Sequence, residues 1–344
     1  MLGNLLIVGL TTTDEEILKK LILECHVGGV TLYSKNYRTY QDMITLINKI
    51  RCLSREAKYD ILICIDQEGY RVNRLPKDIH NLNSPYSFHT NPLCIQEYAF
   101  ITGSILKASG IHLNFAPVLD IKRFPDNHPI GDRSFGDNPT TVSKNGQIYY
   151  QTLKETGIIP VVKHFPGHGA TSFNSHHFLP IIFNKKRLFK EDIIPFKDAI
   201  DNQIDAIMIG HLIVPSFSLT PASLSSKVVA YLESNMHFKG VIITDDLDMG
   251  VLKFIPKSLL FKRAINSGAN LITVKYTDSF FKDYQKLITM YQKNKVKKEN
   301  VLNSLDKLDK MKKKYKVNNK PITSDLDIVE YNERIDALNH KDLS

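Results

Sequence analysis

Five places in this 344-residue sequence bring ionisable side chains to the end of an apolar run. The densest is Lys163-His164-Phe165-Pro166-Gly167-His168-Gly169, which follows the apolar residues 158–162 and leads on to Asn174, His176 and His177. The apolar run 240–244 leads into Asp245-Asp246-Leu247-Asp248. Asp66-Gln67-Glu68-Gly69 follows the run 61–65, Pro117 and Asp120 follow 112–116, and His211 follows 206–209. An apolar run that stops in ionisable residues is the pattern of a buried strand delivering chemistry at its tip.

Three kinds of function are open to such a set. In metal-assisted hydrolysis, His164, His168, His176, His177 and His211 would supply nitrogen ligands and Asp245 an oxygen. Their spacing fits no metal-binding motif, and His164 and His168 straddle a Pro-Gly turn. The second is a binding or scaffold protein with a decayed site, because a fold alone guarantees no activity. The third is glycoside hydrolysis, in which one carboxylate attacks the anomeric carbon and a second group gives and takes the leaving-group proton. Asp245 suits the nucleophile, and Asp66, Arg133, Lys163 and His164 suit sugar hydroxyls.

The elements that must position these residues follow from the apolar pattern. Eight runs, at 5–8, 29–33, 61–65, 112–116, 158–162, 206–209, 241–243 and 271–274, are mostly continuous, as in parallel strands covered on both faces. Helical spacing lies between most of them, at 40–50, 95–108, 187–200, 227–236 and 256–267, and Asp14-Glu15-Glu16 opens another helix with an acidic first turn. Eight strands alternating with helices predict an α/β fold of the (β/α)8 TIM-barrel type, in which all strand tips open onto one catalytic face. The connection 120–139 is long and rich in Pro, Gly and Asp, as functional loops often are. We expect one barrel domain over residues 1–316, its last helix at 298–315, and a polar, partly ordered C-terminal tail over 317–344.

Composition is ordinary for a globular protein, at 42% hydrophobic and 24% charged residues. The net charge of +9 is concentrated among the lysines of 282–320. No aromatic stacking platform or recognition motif accompanies them, so we read a solvated helix face and no nucleic-acid partner. No run approaches the roughly 20 apolar residues that span a bilayer. The apolar N-terminus lacks a basic leader and reads as a first strand. Cys25, Cys52, Cys64 and Cys94 form no Cys-x-x-Cys pair and read as reduced core residues of a cytoplasmic protein. No cofactor and no metal are expected.

Several long blocks in one order resemble glycoside hydrolase family 3. They are Ile65-Asp66-Gln67-Glu68-Gly69-Tyr70-Arg71-Val72-Asn73-Arg74-Leu75, Asn114-Phe115-Ala116-Pro117-Val118-Leu119-Asp120, Ile130-Gly131-Asp132-Arg133-Ser134-Phe135, residues 163–169, and Thr244-Asp245-Asp246-Leu247. Within that family they look like single-domain bacterial β-N-acetylhexosaminidases of peptidoglycan recycling, over about residues 5–315. The resemblance implies a TIM barrel and a retaining mechanism with Asp245 as nucleophile. It implies that His176, on the loop after the fifth strand, is the acid/base. It assigns sugar binding to Asp66, Arg74, Arg133, Lys163 and His164, and a muropeptide or chitooligosaccharide containing N-acetylglucosamine as substrate. An alternative for Arg74 and Arg133 is an ion pair with a neighbouring acid. His211 matches a motif position without an assigned role.

The sequence departs from the family at that loop. Where relatives read Gly-Asp-Thr and then Asp-Ser-His, this chain has Gly169-Ala170-Thr171 and Asn174-Ser175-His176. A carboxylate at 174 would accept the imidazole Nδ1–H, fix its tautomer and stabilise the imidazolium. Asn174 is neutral, and its NH2 can favour the wrong tautomer. In a serine-protease triad a comparable Asp-to-Asn change lowers kcat about ten-thousandfold. The departure leaves open a slowed hexosaminidase, a sugar-binding barrel with strongly reduced turnover, or a relative with another β-glycoside or phosphorolytic activity. Oligomeric state and aglycone preference have no signature in the sequence.

Overall fold

In the computed structural model, which describes residues 2–125, 128–171, 180–323 and 325–342, the chain is a (β/α)8 barrel. The strands are β1 (Leu6–Gly9), β2 (Gly29–Leu32), β3 (Leu62–Ile65), β4 (Leu113–Asn114), β5 (Ile159–Phe165), β6 (Ala206–Ile209), β7 (Val241–Thr244) and β8 (Ile272–Lys275). All paired neighbours are parallel, in the order β7-β6-β5-β4-β3-β2-β1-β8. A parallel bridge between Ile243 and Leu271, with Thr244 N–H donating to Leu271 O at 3.0 Å, joins the two ends of that order. β1 to β7 are buried along their whole length, which is why the sequence shows continuous apolar runs without alternation.

Helices surround the strands: α1 (Glu15–Lys19), α2 (Tyr40–Glu56), α3 (Pro92–Ala108), α4 (Pro139–Glu155), α5 (Lys185–Arg187), α6 (Ile194–Asp201), α7 (Ser226–Ala230), α8 (Lys257–Ser267), α9 (Phe280–Gln292), α10 (Lys298–Lys314) and α11 (Ile328–His340). Their ends are written in the sequence. Thr39 and Asp42 form a reciprocal capping box on α2. Asn91 and Asn138 cap α3 and α4, each followed by Pro at the first helical position. α8 stops at Gly268, whose φ of 103° suits glycine. α1, α5 and α7 each run on into a π-helical turn, at Lys20–Glu24, Leu188–Asp192 and Tyr231–Asn235.

Residues 317–342 contain α11, which the apolar periodicity did not reveal. Ile335 and Leu338 are buried, but much of its attachment is polar. Asn332 and Asn339 hydrogen-bond the backbone of Asp78, His80, Asn81 and Asn83, and Arg334 pairs with Glu97 on α3 at 2.7 Å. A helix docked through amides carries little hydrophobic signal.

Candidate active site

The strand tips of β1, β3, β5, β7 and β8 line one cavity of 420 Å³, together with the segments 71–74 and 129–133. Its wall includes Asp66, Arg74, Arg133, Lys163, His164 and Asp245, six of the eight residues singled out for the site. The other two, Asn174 and His176, lie outside the described residues, as does His177.

One wall is an ion network. Lys163, 2% exposed on β5, donates to Asp66 at 2.8 Å and to Glu68 at 2.5 Å. Glu68 also accepts two bonds from Arg133, Nε at 2.7 Å and Nη2 at 2.8 Å. Burial opposes the Glu68 charge, yet the Arg133 and Lys163 cations hold its carboxyl well below the usual carboxylate range. Burial likewise opposes the Lys163 charge, and Asp66 and Glu68 outweigh it and raise its pKa. Sequence reasoning gave Glu68 no role. Its signal was the period of two, since Asp66 and Glu68 flank Gln67 at the same strand tip.

The two arginines part company here. Arg133 has its carboxylate partner. Arg74 has none among the described residues: its one side-chain bond is a long 3.4 Å contact to Asn73 O, and its Nε is buried and unpaired. Its backbone is held in place, with its N–H donating to Gln67 Oε1 at 2.7 Å and its carbonyl accepting from the Tyr37 hydroxyl at 2.7 Å. A guanidinium that is fixed at a cavity wall and unpaired is ready for an external acceptor.

The opposite arrangement holds His164. Asp120, buried after β4, accepts from its ring Nδ1 at 2.6 Å and from its backbone N–H at 3.2 Å. That bond places a proton on Nδ1. The other Asp120 oxygen accepts the His168 N–H at 2.5 Å. Burial opposes ionisation of Asp120, but His164 and His168 carry its pKa below the ordinary value. The His168 ring is 3% exposed, lines the cavity and has no partner on either nitrogen among the described residues, and burial pushes its pKa down to about 4. The turn that places it needs Gly167, at φ 128°, where a Cβ would lie 2.7 Å from the Asp192 Cβ.

The three carboxylates after β7 separate by environment. Asp245 accepts the Asp246 N–H at 2.7 Å, and its second oxygen has no bond among the described residues. Burial works against its charge, but His211, His164, the Asp246 N–H and Lys163 together lower its pKa, so it is an anion at neutral pH. Burial raises the pKa of Asp246, against the pull of Lys275 at 3.2 Å. Asp248 pairs with Lys257 at 2.8 Å and accepts the Lys275 N–H at 2.8 Å, tying the loop to β8. Neither acts as a helix cap: Asp246 instead accepts the Asp248 N–H at 3.0 Å. His211 sits behind the wall, with Nε2 2.8 Å from Asp246 O and Nδ1 2.6 Å from the Ser223 hydroxyl.

No group of three or more His, Cys, Asp or Glu among the described residues is arranged to hold a metal ion. The imidazoles of His164 and His211 are already engaged by Asp120, Ser223 and a carbonyl. The site therefore offers one ionised, accessible carboxylate facing fixed donors and acceptors, an arrangement suited to a polyhydroxylated ligand.

Residues 2–311 match the glycosyl hydrolase family 3 N terminal domain. The chain is 35% identical over 260 residues to a protein named Beta-hexosaminidase from Actinobacillus pleuropneumoniae, covering 72% of this chain and 73% of that one. It is 28% identical over 336 residues to Beta-hexosaminidase A of Pseudoalteromonas piscicida, covering 89% of this chain but only 56% of that longer protein. Its backbone superposes with a TM-score of 0.90 on a family 3 β-N-acetylglucosaminidase from Paenibacillus sp., at 30% identity, over 99% of this chain and 68% of that structure. With nearly all of the barrel matched, this chain belongs to glycosyl hydrolase family 3.

Proposed function

We propose that this chain is a retaining β-N-acetylhexosaminidase that removes terminal β-linked N-acetylglucosamine from muropeptides derived from peptidoglycan. The observation that carries the reading is Asp245, the strand-tip carboxylate held ionised in the cavity across from the Asp66–Lys163–Glu68–Arg133 network. The names of the relatives support the hexosaminide class.

In the first step an Asp245 oxygen bonds to the anomeric carbon. The bond from that carbon to the leaving oxygen breaks, and His176 gives its proton to that oxygen. In the second step water attacks the same carbon, the bond to Asp245 breaks, and His176 takes the water proton. Asp66, Lys163, Arg74, Arg133 and His164 hold the sugar hydroxyls. Because Asn174 stands where a carboxylate would steady His176, we read the enzyme as slow on poor leaving groups. For the location we propose the cytoplasm, on the strength of four free cysteines; three are buried, whereas Cys52, expected in the core, is exposed on α2. No helix among the described residues is long and apolar enough to cross a membrane.

The test is hydrolysis of an aryl β-N-acetylglucosaminide beside an aryl β-glucoside, each with and without phosphate. Preference for the acetamido sugar, independent of phosphate, is the expected result. Faster glucoside cleavage, or turnover only with phosphate, would replace this reading with another family activity. Binding without turnover of either would point to a sugar-binding barrel.

A further inference from the structure

A second cavity, of 180 Å³, lies at the opposite end of the barrel from Asp245. It is bounded by the end of α2, the residues before β4 and β5, and the chain that leaves α10. Arg51, Lys107, His112, Lys316 and Lys320 line it, and no aspartate or glutamate does. We propose that this cavity is an anion site for a phosphoryl group, taken up as free phosphate or as a phosphate ester.

Arg51 is the floor of the site. It is 5% exposed, and its guanidinium donates to the carbonyls of Lys320, at 2.6 Å, and Gly110, at 2.7 Å, with His112 Nε2 at 3.3 Å from Nη2 and no carboxylate on it among the described residues. Its Nε is buried without a partner among the described residues. A buried cation with no carboxylate is costly, and burial together with Arg55 lowers its pKa to about 10. His112 stays neutral beside Arg51, its pKa lowered to about 3 by burial and by that cation, and both ring nitrogens are engaged. Its Nδ1 accepts the Ile63 N–H at 3.1 Å, so the proton is on Nε2, 3.1 Å from Asn318 O. Gly157, at φ 83°, keeps the rim open: a Cβ there would lie 3.0 Å from Lys107 Nζ.

The lysines of the rim differ from the other lysines nearby. On the outer face of α10, Lys310 and Lys313 each pair with an aspartate one turn earlier, at 2.6 Å. Lys314 and Lys154 share Asp205. Lys107, Lys316 and Lys320 have no ion-pair partner among the described residues, although Glu155 lines the next cleft with Lys107. Charge is therefore compensated on the helix surface and left uncompensated around a concavity with a buried Arg at its base. This favours a small, multiply charged oxyanion over an extended nucleic acid, which would need the outer face and a stacking platform. Such an anion would bridge α2 and α3 to the segment 316–322, adding to the bonds that Arg51, Arg55 and Asn48 already make to that segment.

The test is thermal unfolding of the full chain in sodium phosphate, pyrophosphate, glycerol phosphate or a single-stranded oligonucleotide, against sodium chloride at equal ionic strength. Wild type and Asp245→Asn should both gain on the order of 2 °C in Tm with at least one phosphoryl compound. The Lys107→Gln/Lys320→Gln variant, altered only at exposed side chains, should fold and lose that gain. The free-phosphate and ester arms identify the source. Equal Tm values in chloride, or an undiminished gain in the double variant, would overturn the proposal. A gain that vanishes in Asp245→Asn would move the anion to the catalytic cavity. A gain given only by a single-stranded oligonucleotide would assign the patch to nucleic acid. None of these outcomes depends on which glycoside the enzyme cleaves.

Discussion

Glu68 and Arg133 are joined by two parallel hydrogen bonds of 2.7 and 2.8 Å, with Glu68 buried, Arg133 partly buried and Lys163 closing on the same carboxylate. The pair couples the tip of β3 to the loop after β4, and so holds two sugar-binding walls in one geometry. Charged pairs of this kind are retained only with full hydrogen bonding, and removing one partner strands the others.

Glu68→Gln should therefore cost about 3 kcal/mol of stability, measured by urea unfolding, because Arg133 loses its carboxylate and Lys163 is left with Asp66 alone. The pH dependence has a definite sign. The folded-state pKa of Glu68 is depressed, so its contribution is fully present above the ordinary glutamate value of about 4.3 and is lost as pH falls toward the folded value. Wild type should lose stability over that acid range more steeply than Glu68→Gln. Parallel curves would show that the carboxylate is not the source.

For Asp245→Asn the expected outcome is loss of turnover with unfolding essentially unchanged. Trapping wild type with a fluorinated N-acetylglucosaminide should leave the label on Asp245. Recovery of the label on Asp246 or Asp248 would sink the assignment. Since the Asp245 pKa is lowered, the acid limb of the kcat/KM profile should fall below about 4, the ordinary aspartate value.

Asn174→Asp should speed cleavage of a disaccharide-like substrate by roughly tenfold to a thousandfold, and of an aryl glycoside much less. The reason is that a nitrophenolate leaves with little protonation, whereas a sugar alkoxide needs the acid. Paired kcat/KM values for both substrates in both proteins measure this. Unchanged rates for both would mean that the loop does not work through residue 174.

The fourth prediction concerns α11. Asn339 accepts the Asn83 N–H at 2.8 Å and donates to Asn81 O at 3.0 Å, while the Tyr98 hydroxyl lies 3.2 Å from Asn83 O and 2.6 Å from Glu68 O. Asn332→Ala/Asn339→Ala should loosen the segment that ends at the sugar-binding wall. The expected signature is KM raised severalfold with kcat little altered, and a stability loss of about 1 kcal/mol per side chain. An unchanged KM alongside lowered stability would confine α11 to a structural role.

The sequence by itself determined the barrel and the face that carries chemistry. Apolar runs such as 241–243, buried on both sides, can only be parallel core strands, and ionisable residues directly after them fall at one end. Strand limits shifted by a residue or more: β5 runs through Lys163 to Phe165, and β4 is reduced to Leu113–Asn114. Tertiary structure alone decided the partners. Arg133 and Arg74 are the same residue type in similar motifs, yet among the described residues only Arg133 meets a carboxylate, because Glu68 reaches across from the tip of β3. Asp245, Asp246 and Asp248 are chemically identical in sequence and differ by which cation or cavity each one faces. The basic C-terminal region looked like a uniformly solvated face. Folding distributes its lysines between helix-surface pairs and the rim around Arg51, a difference set by which distant segments the chain brings beside them.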